Sequence, residues 1–284
     1  EEDGGDSEDE EEEELRQAAC NCATAVMTHH PEAFMAEGLP LCLAALQGLL
    51  QPGRPAGDRR LGLYMASSLC EHLGERVVGH WPSFLPQVLQ DITSEDAEVR
   101  APACYAASFA ARQAAFAPNA PESAGRLAEV AARARAGGGR RKSEKPAQMA
   151  ADNALSALVE ILLHHGATAL AGAQAQLWAA WVAGLPCLED EAEGVRNHGI
   201  LLQLLQQRRP EVLGPGGEAA PRLLSILVDV YRTKMVDDVT SWGIGRLLSS
   251  AGEAQLERSA ASFSEKQRKK LQRILRDAQR GAAS

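Results

Sequence analysis

Aromatic side chains make up only 4% of this 284-residue sequence although 45% of its residues are hydrophobic, so Leu and Ala must fill most of the interior. Such a composition favours helices. No run of about 18 apolar residues occurs and the N-terminus is acidic, which argues against a membrane-spanning helix and a signal peptide. Strand-like alternation of apolar and polar residues is nowhere sustained. The six cysteines, Cys20, Cys22, Cys42, Cys70, Cys104 and Cys187, lack the regular spacing of a secreted disulfide framework and read as buried thiols in a reducing compartment. Cys20 and Cys22 also lack the spacing and the second ligand pair of a zinc site. The glycines at 137–139 follow no strand and precede no Gly-Lys-Ser/Thr, so they are a flexible insert and not a phosphate loop. No nucleophile or metal motif is present, and neither catalysis nor a cofactor is expected.

Charge is distributed unevenly. The formal net charge is -9, yet eleven acids fall within residues 1–14, leaving 27 acids against 29 Lys and Arg in the rest. At the other end, Lys266, Arg268, Lys269, Lys270, Arg273, Arg276 and Arg280 face the single acid Asp277. The near-neutral body argues against direct nucleic-acid binding. Residues 1–14 are expected as a flexible acidic loop, and a start without Met inside that loop suggests a piece of something longer.

From residue 15 to 280 the apolar positions recur at helical spacing, as in Ala151, Ala154, Leu155, Leu158, Ile161 and Leu162. Pro and Gly clusters cut the chain into helices of about 12 to 20 residues. They pair as 36–50 with 57–74, 80–91 with 95–114, 121–136 with 147–165, 172–185 with 189–208, and 219–234 with 237–251. A final helix covers 264–280, residues 13–30 form a second helix without its first, and a basic Gly-rich insert lies near 137–146. Ser94 is expected to cap one helix, and Ser264 with Gln267 to form a capping box. The His29-His30 and His164-His165 pairs fall at helix C-terminal ends, where imidazole suits the dipole. Trp81, Trp178, Trp181 and Trp242 are all expected in the core.

Pairs of about 40 residues have the period of a HEAT-type array, an all-α superhelix of antiparallel helix pairs. Asp96 with Arg100, and Asp190 with Arg196, follow an acid, valine, arginine order that resembles a HEAT repeat. In that family such acids and arginines form a ladder between neighbouring repeats. Residues 54–113, including LYMASSLCEHLGERVVGHWPSFLPQVLQDITSEDAEVR, and residues 176–228, including QLWAAWVAGLPCLEDEAEGVRNHG and EVLGP, go further. In order and spacing they resemble the importin-β class of nuclear import receptors, in the subgroup of importins five and four. The acidic head also fits the acidic loop that these receptors carry inside a repeat.

The resemblance implies a monomeric receptor that shuttles between cytoplasm and nucleus, without cofactor or membrane. Its partners would be basic cargo such as ribosomal proteins or histones, Phe-Gly proteins of the pore, and Ran-GTP, the last mainly through N-terminal repeats outside this chain. Cargo would lie on the second helices. Asp152 and Asn153, read as a helix start, could pair a lysine and clamp extended backbone, with Glu160 two turns beyond. Glu10, Glu11, Glu12, Glu13 and Glu14 could draw basic cargo in at long range. A HEAT scaffold or adaptor in another complex is the alternative.

Overall fold

The computed structural model describes residues 5–136, 144–214 and 216–281, and among them it is all-α without a β-strand. Helix α1 spans Gly5–His29, followed by the short α2 (Pro31–Ala33) and a π-helical turn at Phe34–Gly38. Five antiparallel pairs come next: α3 (Leu39–Leu49) with α4 (Ala56–Leu73), α5 (Leu85–Asp91) with α6 (Ala97–Ala110), α7 (Ala120–Ala136) with α8 (Lys145–His165), α9 (Gln174–Gly184) with α10 (Glu191–Gln206), and α12 (Ala220–Val230) with α13 (Asp238–Ser250). A one-turn helix α11 (Pro210–Leu213) joins the last two pairs, and α14 (Glu253–Ala260) with α15 (Glu265–Gly281) closes the series.

The second helices stack in chain order, α1 on α4, α4 on α6, α6 on α8, α8 on α10, α10 on α13 and α13 on α15. This is the expected superhelix, in which each pair buries its apolar stripe only against its neighbours. Aliphatic residues fill the seam, with Leu63, Leu69, Val99, Ala103, Ala107, Leu155, Leu158 and Ile244 all buried. Short 3-10 segments at Gly74–Ser83 and Ala114–Asn119 turn the chain between layers. Gly74 ends α4 at φ 54°, a left-handed conformation that glycine adopts without Cβ strain.

Local differences from the sequence reading have local causes. Residues 5–14, expected as a loop, continue α1 toward the N-terminus; Glu is a good helix former, and acids near a helix start favour its dipole. The side chains of Glu10, Glu11, Glu12 and Glu13 lie outside the described residues, as does the insert at 137–143. Asp96, not Ser94, caps α6 by accepting from the Glu98 N–H at 2.8 Å. The expected box at α15 forms: Gln267 N–H donates to Ser264 Oγ at 3.2 Å while Ser264 N–H donates to Gln267 Oε1 at 2.9 Å. No described helix is long and apolar enough to cross a membrane.

Candidate functional site

Helix α8 is the centre of a polar seam. It begins at Lys145, so Asp152 and Asn153 sit about two turns in and not at its start. The Asp152 carboxylate is buried and accepts the backbone N–H groups of Leu188 (3.0 Å), Glu189 (2.8 Å) and Asp190 (3.0 Å). Burial pushes its pKa above the usual carboxylate value against the pull of those three donors. Asn153 is also buried and donates to Met149 O and to Asp190 Oδ2, each at 3.0 Å. One turn on, Ser156 Oγ accepts from Asn197 Nδ2 at 2.6 Å, and Asn197 Oδ1 accepts from Trp181 Nε1 at 2.9 Å. Glu160 ends the seam in ion pairs with Arg196 and with Arg112 at 3.6 Å, and His164 Nε2 lies 3.2 Å from its carboxylate.

Asp152 and Glu160 therefore lie inside the seam and not on an open surface, contrary to the expectation of an accessible helix start. Their carboxylates are consumed by the neighbouring pair, because a buried charge without partners would be too costly to retain. The same seam sets the His198 imidazole: its Nε2 accepts from the Cys187 N–H at 3.2 Å, so Nδ1 donates to Met235 O at 2.8 Å. Burial holds its pKa below the ordinary value of 6.5, in agreement with a neutral ring.

The expected ladder is half present. Asp190 caps α10 by accepting from the Glu193 N–H at 3.2 Å and reaches back to Asn153, while Arg196 reaches Glu160. Asp96 and Arg100 do not cross between repeats; Arg100 donates into its own loop, to Ser94 O and to Glu95 O at 3.2 Å. The crossing from α4 is made instead by Arg59 to Asp91 at 2.5 Å and Arg60 to Glu98 at 3.2 Å.

The open part of this face is a groove of about 380 Å³ crossed by four successive second helices and the cap of a fifth. Helix α1 contributes Gln17, Asn21 and Thr24, α4 contributes Tyr64, Ser68, Glu71 and His72, and α6 contributes Tyr105. Met149 and Asn153 of α8 and the cap Asp190 form the far end. Two carboxylates and no Lys or Arg line it. Burial first, then the charges of Glu71 and Glu193, push the Tyr105 phenol above its ordinary pKa, against smaller opposing effects of Arg196 and Arg112. Of the expected cargo residues whose side chains are described, only Asn153 lines it. No family model matches the chain.

Sequence reasoning missed Gln17, Asn21, Tyr64, Ser68 and Glu71. A signal was available: 17, 21 and 24 on α1, and 64, 68 and 71 on α4, are polar or amphipathic positions at i, i+4 and i+7, a stripe beside the buried one. Trp178 and Trp181 are buried, at 1% and 0%, and pack edge to face at 5.6 Å, so they are core and not pockets. Trp81 is buried as well. Trp242 corrects the expectation, being 61% exposed. Helix α13 packs between α10 and α15 and leaves the stripe at Val239, Trp242 and Arg246 exposed.

Proposed function

We propose that this chain is a stretch of a nuclear import receptor of the importin-β class that holds a basic segment of cargo across its second helices. The observation that carries the reading is the groove lined by Glu71 and Asp190 with no Lys or Arg, on the face where successive second helices align. A Lys or Arg side chain entering there meets Glu71 and the phenol oxygens of Tyr64 and Tyr105, and amides such as Gln17 and Asn21 are placed to pair with extended backbone. The resemblance of residues 54–113 and 176–228 to these receptors supplies the biological setting. Histones and ribosomal proteins are the cargo class, and Ran-GTP is the releasing partner, bound mainly by repeats outside this chain.

The test is binding of a labelled Lys- and Arg-rich peptide, read by anisotropy. Glu71→Lys is expected to weaken it about fivefold, as suits an exposed charge, and Asp152→Asn to leave it unchanged in the folded protein. Equal affinity for wild type and Glu71→Lys removes the groove from the reading. With the intact receptor, Ran-GTP is expected to release the cargo; retention favours the alternative, a HEAT scaffold in another complex.

A further inference from the structure

Trp242 stands apart from the chain's other three tryptophans, all buried. On the open side of α13 it shares a stripe with Val239, which is 77% exposed, and Arg246, whose guanidinium lies 4.7 Å from the Trp242 ring centroid. A second guanidinium–ring pair, Arg232 over Tyr231 at 5.4 Å, faces the same cavity of about 540 Å³. Asp277 and Ala278 of α15 form the opposite wall. Arg232 sits at φ 51°, a left-handed conformation costly for a residue with a Cβ, and its side chain is tied to Asp277 at 2.9 Å. Asp277 is thereby neutralised within the wall.

Beside this cavity runs a stripe of positive charge. Lys266, Lys269, Arg273, Arg276 and Arg280 follow one another at steps of 3, 4, 3 and 4 residues, which places them on one face of α15 over about 21 Å. All five are exposed, and the buried Leu271 and Ile274 lie on the opposite face, packed toward α12 and α13. Arg276 is adjacent in sequence to the wall residue Asp277, and Arg273 lies 4.0 Å from the Asp277 carboxylate, so the stripe borders the cavity. Two aromatic rings give the cavity an apolar interior, and the bases give its flank an excess of positive charge, although Lys269 is paired with Glu265 at 2.6 Å.

We infer that this end of the array docks an acidic peptide segment that carries one apolar side chain. The apolar side chain enters between Trp242 and Tyr231, and the flanking carboxylates lie along Arg273, Arg276 and Arg280. Rings stacked by guanidinium groups are held in place before binding, which reduces the ordering cost. Asp238 at the cavity rim makes an acidic residue unfavourable in the cavity itself, so the anchor is uncharged. The groove on α1, α4, α6 and α8 shares no residue with this site, so the two readings stand or fall separately.

A peptide of ten glutamates interrupted by one central leucine is the probe, compared with the same peptide lacking the leucine and with an oligothymidylate of similar charge. The leucine peptide is expected to protect the tryptophan emission of the full chain from acrylamide, since Trp242 is the exposed indole. Labelled peptide should bind Trp242→Ala about tenfold more weakly than wild type, and the peptide without leucine should be weaker by a similar factor. Arg273→Glu with Arg276→Glu, at exposed positions, should abolish binding while leaving the helical circular dichroism unchanged. Undiminished affinity in Trp242→Ala overturns the proposal, as does failure of the leucine peptide to bind at low salt. Tighter binding of the oligothymidylate overturns it too, and assigns the surface to single-stranded nucleic acid.

Discussion

Helices α8 and α13 occupy equivalent places two pairs apart, yet their side chains meet different surroundings. Every side chain of α8 from residue 150 to 162 is buried, because α6, α7, α9 and α10 all pack on it. Helix α13 has α10 and α15 as its main neighbours and leaves Val239, Trp242, Arg246 and Ser249 exposed along one stripe. The polar residues of α8 therefore belong to the interior and an aromatic residue of α13 belongs to the surface. In a stacked array, the number of neighbours a helix has decides what its side chains do, and residue type is the weaker guide.

Substitutions can break or sharpen that contrast. The largest effect is expected for Trp181→Ala beside α8, which removes a fully buried ring and the donor to Asn197; about 3–5 kcal/mol of stability should be lost in urea unfolding. A loss below about 1 kcal/mol would show that the α8 region is not the close-packed seam described. Asp152→Ala comes next, at about 2–4 kcal/mol, since the N–H groups of residues 188–190 lose their acceptor. Asp152→Asn, which keeps one acceptor oxygen, should recover part of it.

Acid should act on the same seam. The folded pKa of His198 lies below its unfolded value of 6.5, so above that pH both states are neutral and no linkage exists. Below it the unfolded chain takes a proton that the folded chain refuses, and stability falls by up to about 1.4 kcal/mol per pH unit until the folded pKa is reached. The loss between pH 7 and pH 5 should be smaller in His198→Asn than in wild type, measured by paired urea titrations; an identical loss would remove His198 from the seam. Smallest of all, Trp242→Ala should change stability by less than about 0.5 kcal/mol, as for other exposed positions. A Trp242→Ala loss comparable to that of Trp181→Ala would erase the distinction between the two helices.

The helical period, the pairings and most boundaries were legible in the sequence because periodicity and Pro/Gly punctuation are local properties. The capping box at Ser264 and Gln267 and the buried Trp178 and Trp181 were legible for the same reason. What a side chain faces across the stack is not local. Asp152 looked like a helix-start acid open to a ligand, yet the loop at 188–190 folds over it. Arg100 looked like a ladder residue, yet it donates to carbonyls of its own loop. Glu71 showed no motif, and only the alignment of α1, α4, α6 and α8 makes it part of a groove.

Hydrogen exchange of the chain with and without a Lys- and Arg-rich peptide tests the recognition face most directly. The account predicts added protection in peptides spanning residues 17–24 and 64–72, with the first helices α3, α5 and α7 unaffected. Protection confined to those first helices, or none on the second helices at saturating peptide, would contradict it.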